Sequence, residues 1–222
     1  MKNLNRYIDH TNLKPNASKS DIIKLCSEAK EYEFASVCVN PYYVKLVSDE
    51  LRDNKNVVVC SVIGFPLGAN TLESKMFEAH NACMNGANEI DMVINIAELK
   101  NKNVDYCISE INKIKSAIGN NVLKVIVETA YLTQEEKVLA AEIVLKSNAE
   151  FIKTSTGFAS SGAQLEDIKL WKSILKDVKK IKAAGGIRTK EDAIKFIKAG
   201  ADRLGASSGV QIMNDESCNN TY

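Results

Sequence analysis

The sequence predicts an α/β protein and, within that class, a single-domain (β/α)8 TIM barrel. Three observations carry this expectation. Eight short β-rich runs alternate with longer amphipathic stretches along the chain, the pattern of a parallel sheet with helical crossovers. No stretch rich in Pro, Gly or Ser divides the series, so the units form one domain over 1–210, followed by a flexible tail at 211–222. The runner-up, a doubly wound open sheet, is weakened by eight units without a GxGxxG fingerprint, and 222 residues suit a small closed barrel.

In chain order the strand candidates are RYIDHT, ASVCVN, VVVCSVIG, EIDMVIN, LKVIVE, FIKTS, KIKAAGG and DRLGAS. The amphipathic stretches between them include SKSDIIKLCSEAKEY, TLESKMFEAHNACMNG, VDYCISEINKIKSAIG, TQEEKVLAAEIVLKSN and TKEDAIKFIKAG. Their apolar residues recur at three- and four-residue spacing, and Gly or Asn often closes the run. In the last of them Thr189 is positioned as an N-cap with Asp192 three residues on, and Gly200 as a C-cap.

Composition narrows the function. A net charge of +1, with 26% charged residues, argues against a generally basic nucleic-acid or membrane binder. No apolar run approaches the length of a membrane span, and MKNLNRYIDHT lacks the apolar middle of a signal peptide, so the expected location is cytoplasmic. Six cysteines without a CxxC pair read as reduced, mostly core-filling thiols. Two histidines and no HExxH give no zinc constellation, and neither a metal nor another cofactor is expected.

The chemistry is carried by charges inside strands. Side chains alternate faces along a strand, so Lys153 shares a face with Phe151 and Ser155, and Lys182 with Ala184. EIDMVIN offers Asp91 in a similarly apolar setting, and LKVIVE offers Lys124. One strand lysine is ordinarily a snorkelling or salt-bridged residue. Four charges on consecutive strands, gathered at the C-terminal mouth of a barrel, form a site. One carboxylate cannot neutralise three ammonium groups, so the surplus attracts an anion and is expected to lower the lysine pKa values. A free amine near neutral pH attacks carbonyls. The residues alone leave open whether Lys153 or Lys182 is the nucleophile.

AAGGIRTKED places Gly185 and Gly186 between strand seven and a helix start, and RLGASSGV places Gly205, Ser207 and Ser208 after strand eight. Such loops let backbone N–H groups approach an anion, and barrels commonly bind phosphate after these two strands. The expected substrate is a small phosphorylated carbonyl compound, with no nucleic acid and no membrane as partner.

From IDHTNLKP to GASSGV the chain closely resembles the deoxyribose-phosphate aldolase family, through SVCVNP, VIGFPLGANTLESKMFEA, EIDMVINI, LKVIVET, FIKTSTGF and GGIRTKEDA. The resemblance implies a class I aldolase of deoxyribose phosphate catabolism that forms a Schiff base without a metal. It implies that Lys153 forms the imine, that Lys182 is the neighbouring proton-transfer lysine, that Asp91 is the acidic relay, and that Lys124 supports Asp91. Thr11 and Cys38 match residues near the family's substrate pocket, and Tyr222 matches a terminal tyrosine that can shuttle protons. A homodimer is expected by analogy. Typical members carry KASGGIRT and GTSSG where this chain has Ala184 and Ala206, which removes two hydroxyls near the phosphate. Two rival readings share these loops: an isomerase or synthase without a covalent intermediate, and a non-catalytic sugar-phosphate-binding protein.

Overall fold

The computed structural model describes residues 3–216. The strands are β1 (Ile8–Asn12), β2 (Ser36–Val39), β3 (Val58–Ile63), β4 (Glu89–Val93), β5 (Val122–Ile126), β6 (Phe151–Lys153), β7 (Lys180–Ala184) and β8 (Arg203–Ala206). They close into one barrel in sequence order, and every neighbouring pair is parallel. Closure rules out the open sheet.

The helices are α1 (Lys19–Tyr32), α2 (Val44–Glu50), α3 (Leu72–Met84), α4 (Ile96–Lys100), α5 (Val104–Ile118), α6 (Gln134–Lys146), α7 (Leu165–Leu175), α8 (Lys190–Ala199) and α9 (Gly209–Asn214). Their starts follow capping chemistry. Ser18 with Asp21 and Thr133 with Glu136 form reciprocal capping boxes. The Thr189 side chain accepts from the Asp192 amide, and Gly200 closes α8 at φ 117°, as the sequence indicates. The expected tail at 211–222 starts too early: α9 runs to Asn214, and Ile212 on it is fully buried. Its apolar anchor is too isolated to show a period.

Alternation along the strands separates two interiors. Outward residues such as Val37, Ile90, Val125, Ile152, Ile181 and Leu204 join the helices in a continuous apolar shell. Inward residues are unusual for a barrel, whose lumen is ordinarily filled by branched aliphatic side chains. Here Asp9, Glu89, Asp91, Lys124, Lys153, Lys182 and Arg203 meet inside it; contacts between strands that are not neighbours place six of them there, and Lys124 joins through Asp91 and Glu89 on the adjacent strand. A small apolar cluster, Leu13, Cys38, Cys60 and Val62, shares the lumen. Among the described residues no helix is long and apolar enough to cross a membrane.

A second buried ion pair locks the shell to the mouth of the barrel. Lys75 Nζ on α3 donates to Glu110 Oε1 on α5 at 2.7 Å and to the Val93 carbonyl at the end of β4 at 2.9 Å. Glu110 Oε2 accepts from the Asn95 amide at 2.9 Å, and both side chains are fully buried. Removing one partner strands the other charge, at a cost of about 3–5 kcal/mol. Lys75→Met should lower stability by about that amount in urea unfolding, and adding Glu110→Leu should restore part of it. A single-variant loss below about 1 kcal/mol would contradict the role given to the pair.

Candidate active site

The site begins with strand register. Asp91 pairs with Lys124, and Lys153 with Lys182, on adjacent strands, so four charged side chains enter the lumen side by side. Asp91 is their hub. Its Oδ1 accepts from Lys124 Nζ at 2.9 Å, and its Oδ2 accepts from Lys153 Nζ at 2.8 Å and Lys182 Nζ at 2.7 Å. The structure thus brings all four predicted catalytic residues together.

Three groups that the sequence reading passed over complete the network. Asp9 Oδ2 on β1 lies 2.5 Å from Lys182 Nζ, and Glu89 Oε2 on β4 lies 2.5 Å from Lys124 Nζ. Arg203 on β8 reaches Asp9 at 2.6 Å and Glu89 at 3.2 Å, and Ser36 Oγ donates to Asp9 Oδ1 at 2.6 Å. The expectation of one carboxylate against three lysines is therefore corrected: three carboxylates face four cations. Setting Lys153 aside, the remaining six charges balance three against three.

The expected lowering of the lysine pKa values is also corrected, for two of the three. Burial alone would push the Lys182 ammonium down, but Asp9 and Asp91 more than offset it and hold it above the ordinary lysine range. Burial opposes charge on Lys124 in the same way, and the Asp91 and Glu89 carboxylates hold it well above that range. For Asp91 burial favours the neutral acid, yet Lys124, Lys153 and Lys182 keep the carboxyl well below its usual range. Asp9 is lowered likewise by Arg203 and Lys182 against burial. Lys124 and Lys182 are thus locked as cations.

Above this floor lies a cavity of about 330 Å³. Of the three clustered lysines only Lys153 lines it; Lys124 and Lys182 are fully buried beneath. This separates the two lysines that the residues alone left equivalent. The far wall holds Gly185, Gly186, Gly205, Ser207 and Ser208, with Thr11 beside them, so all six predicted binding residues face one space. Gly185 and Gly186 have φ of 85° and 80°, a left-handed turn that opens the backbone toward the cavity. Ala184 and Ala206 present methyl groups on the same wall. Thr156, Phe158 and Arg188 also line the cavity, although the sequence reading did not single them out. Arg188, in GGIRT directly after the paired glycines, was the most legible of these: a cation beside an anion loop. Tyr222 lies outside the described residues.

Cys38 and Cys60 are register partners on β2 and β3 and sit beside Asp91. Burial pushes the Cys60 thiol well up, so it stays protonated and donates to Asp91 Oδ1 at 3.2 Å. Cys38, Cys60 and Asp91 could together present three ligand atoms to a cation. Both Asp91 oxygens are already engaged by ammonium groups, so a divalent ion would meet concentrated like charge.

The lowered carboxyls have a consequence for stability. A carboxylate whose folded pKa lies below the unfolded value of about 3.9 adds stability above that value and loses it as pH falls toward the folded value. Urea midpoints should be flat near neutrality and fall steeply below about pH 4, and Asp9→Asn should make that fall shallower. An acid profile that Asp9→Asn leaves unchanged would contradict the network.

Comparison with known proteins places this geometry. A sequence model of the DeoC/LacD family aldolases matches residues 4–215. The deoxyribose-phosphate aldolase of Ureaplasma parvum serovar 3 is 59% identical over 215 residues, covering 97% of this chain and 100% of that protein. Among solved structures, the aldolase QR15 superposes with a TM-score of 0.92 at 46% identity, covering 96% of each chain. The deoxyribose phosphate aldolase of Aeropyrum pernix, described as a unique tetramer, has a TM-score of 0.86 at 32% identity, covering 95% of this chain and 89% of that one. The chain belongs to the DeoC/LacD aldolase family.

Proposed function

We propose that this aldolase reversibly cleaves 2-deoxy-D-ribose 5-phosphate into acetaldehyde and D-glyceraldehyde 3-phosphate through a Schiff base on Lys153. The observation that carries the reading is the position of Lys153: it lines the cavity, while its two lysine neighbours are buried below and locked as cations. The identity to relatives named for this activity supports the substrate.

The free amine of Lys153 attacks the C1 aldehyde carbon of the open-chain sugar, and loss of water from the carbinolamine gives a protonated imine. The C3 hydroxyl gives up its proton as the C2–C3 bond breaks. The bond's electron pair moves into the imine to form an enamine, and C3 leaves as the aldehyde of glyceraldehyde 3-phosphate. Protonation of the enamine at C2 and hydrolysis then release acetaldehyde and restore the amine. Asp91 Oδ2, 2.8 Å from Lys153 Nζ and 2.7 Å from Lys182 Nζ, is placed to relay protons at the carbinolamine and enamine stages. Such acid–base help is worth about 10²–10⁴-fold. Lys124 holds the other Asp91 oxygen and fixes the orientation of the carboxylate.

Gly185, Gly186, Gly205, Ser207 and Ser208 are the proposed phosphate cradle, with Arg188 beside it. Anchoring C5 there holds C1 against the amine, an entropic advantage. Ala184 and Ala206 leave this grip to backbone groups and the two serines. A homo-oligomer is part of this reading: a homodimer is the sequence-based expectation, and the Aeropyrum pernix relative is described as a tetramer.

Borohydride added to enzyme and sugar phosphate should reduce the imine and leave an irreversible mass increase on Lys153. Lys153→Leu should abolish both the adduct and the release of glyceraldehyde 3-phosphate in a coupled assay. An adduct on Lys182, or turnover without any adduct, would overturn the assignment; the second would favour a non-covalent isomerase-type site.

A further inference from the structure

Glu128 is a buried acid for which the mechanism above has no use. It lies two residues beyond the end of the strand that carries Lys124, is 1% exposed, and adopts φ 53°, ψ 75°, the left-handed region that non-glycine residues seldom enter. Its Oε1 has no hydrogen-bond partner. A buried carboxylate, an unmet oxygen and a strained backbone each cost stability, and such features persist where the surroundings fix them for a purpose.

Everything the Glu128 side chain holds belongs to the wall of the cavity. Its Oε2 accepts from the Thr156 amide at 3.1 Å and from the Thr156 hydroxyl in a shorter bond. The Thr156 hydroxyl oxygen in turn accepts from the Phe158 amide at 3.0 Å. Thr156, Gly157 and Phe158 line the cavity three to five residues beyond Lys153, on the loop between β6 and α7. The far end of that loop is tied to the glycine turn, where the Ala163 amide donates to the carbonyls of Ala184 and Gly185 at 3.0 and 3.1 Å.

A hydroxyl has one proton and two lone pairs. In Thr156 the proton goes to Glu128 and one lone pair to Phe158, so a ligand in the cavity finds a single acceptor and no donor. We propose that Glu128 is a positioning residue that sets this polarity, making Thr156 an acceptor for a hydroxyl on the glyceraldehyde half of the sugar. The inference rests on the aldolase reading given above. It predicts that Glu128 matters for substrates that bring a hydroxyl and not for imine formation with acetaldehyde, which has none.

Glu128→Ala should raise KM for deoxyribose 5-phosphate by about tenfold or more, the scale of one lost hydrogen bond. Borohydride trapping of acetaldehyde on Lys153 should stay within about twofold of the parent chain. Thr156→Val should raise KM similarly, and the double variant should be no worse than Thr156→Val alone, because both remove the same bond. Glu128→Gln keeps an acceptor oxygen and should hold KM within about threefold. The proposal is overturned if acetaldehyde trapping falls in step with sugar cleavage, or if the two substitutions multiply. Where the alanine chain does not fold, Glu128→Gln decides: KM near the parent value supports the proposal, and a rise equal to that of Thr156→Val refutes it. A parent chain giving no Lys153 adduct with acetaldehyde would instead remove the aldolase reading beneath it.

Discussion

The constraint on which the rest depends is charge balance in the lumen of a closed barrel. Seven ionisable side chains share a space that water barely enters, and an unpaired charge there would be prohibitively unfavourable. Asp91 resolves this by accepting from three lysines, while Asp9, Glu89 and Arg203 tie the periphery together across the barrel. The arrangement neutralises the floor and leaves one amine, Lys153, at the cavity. The reactivity proposed for Lys153 follows from where the balanced set ends.

The floor is also braced from below. The Phe151 ring lies 5.9 Å from the buried Lys124 Nζ and 5.8 Å from the Arg203 guanidinium carbon, offering a π-face to two cations that cannot be fully hydrated, and 5.6 Å from Nζ of the exposed Lys180. Packing and electrostatics therefore act on the same residues. The apolar shell outside the strands holds the barrel closed, closure sets the register, and register puts Lys153 beside Lys182 and Asp91 beside Lys124. A slip of one residue in any of these strands would turn its charge into the shell.

Much of this was legible in the chain. Period-two alternation located Asp91, Lys124, Lys153 and Lys182, and the glycine turns after strands seven and eight marked the anion end. What escaped was whatever depends on partners across the lumen. Glu89 stands at the first position of its strand, where a charge reads as an exposed edge, although it shares a face with Asp91 two residues on. Asp9 and Arg203 lie in strands one and eight, far apart in sequence, and become neighbours only because the barrel closes. Without them the lysines look over-charged, and the inferred lowering of all three pKa values is the natural but mistaken result for Lys124 and Lys182. Among the helices, α2 and α4 are too short to show a period, and α7 starts without a side-chain cap at Gln164, although its apolar residues Ile168, Trp171 and Leu175 keep the helical spacing. Thr156 reads as one more small residue in a loop until Glu128 is seen behind it.

The proposed chemistry requires the two deeper lysines to be fixed as cations, which would reserve covalent attack for the amine at the cavity. Resolving the side-chain nitrogen resonances of Lys124 and Lys182 in isotopically labelled protein, and following them with pH, measures this directly. Both should remain ammonium ions through the range around about pH 10.4, where an ordinary lysine gives up its proton. Either one found as a neutral amine near pH 7 would contradict the account.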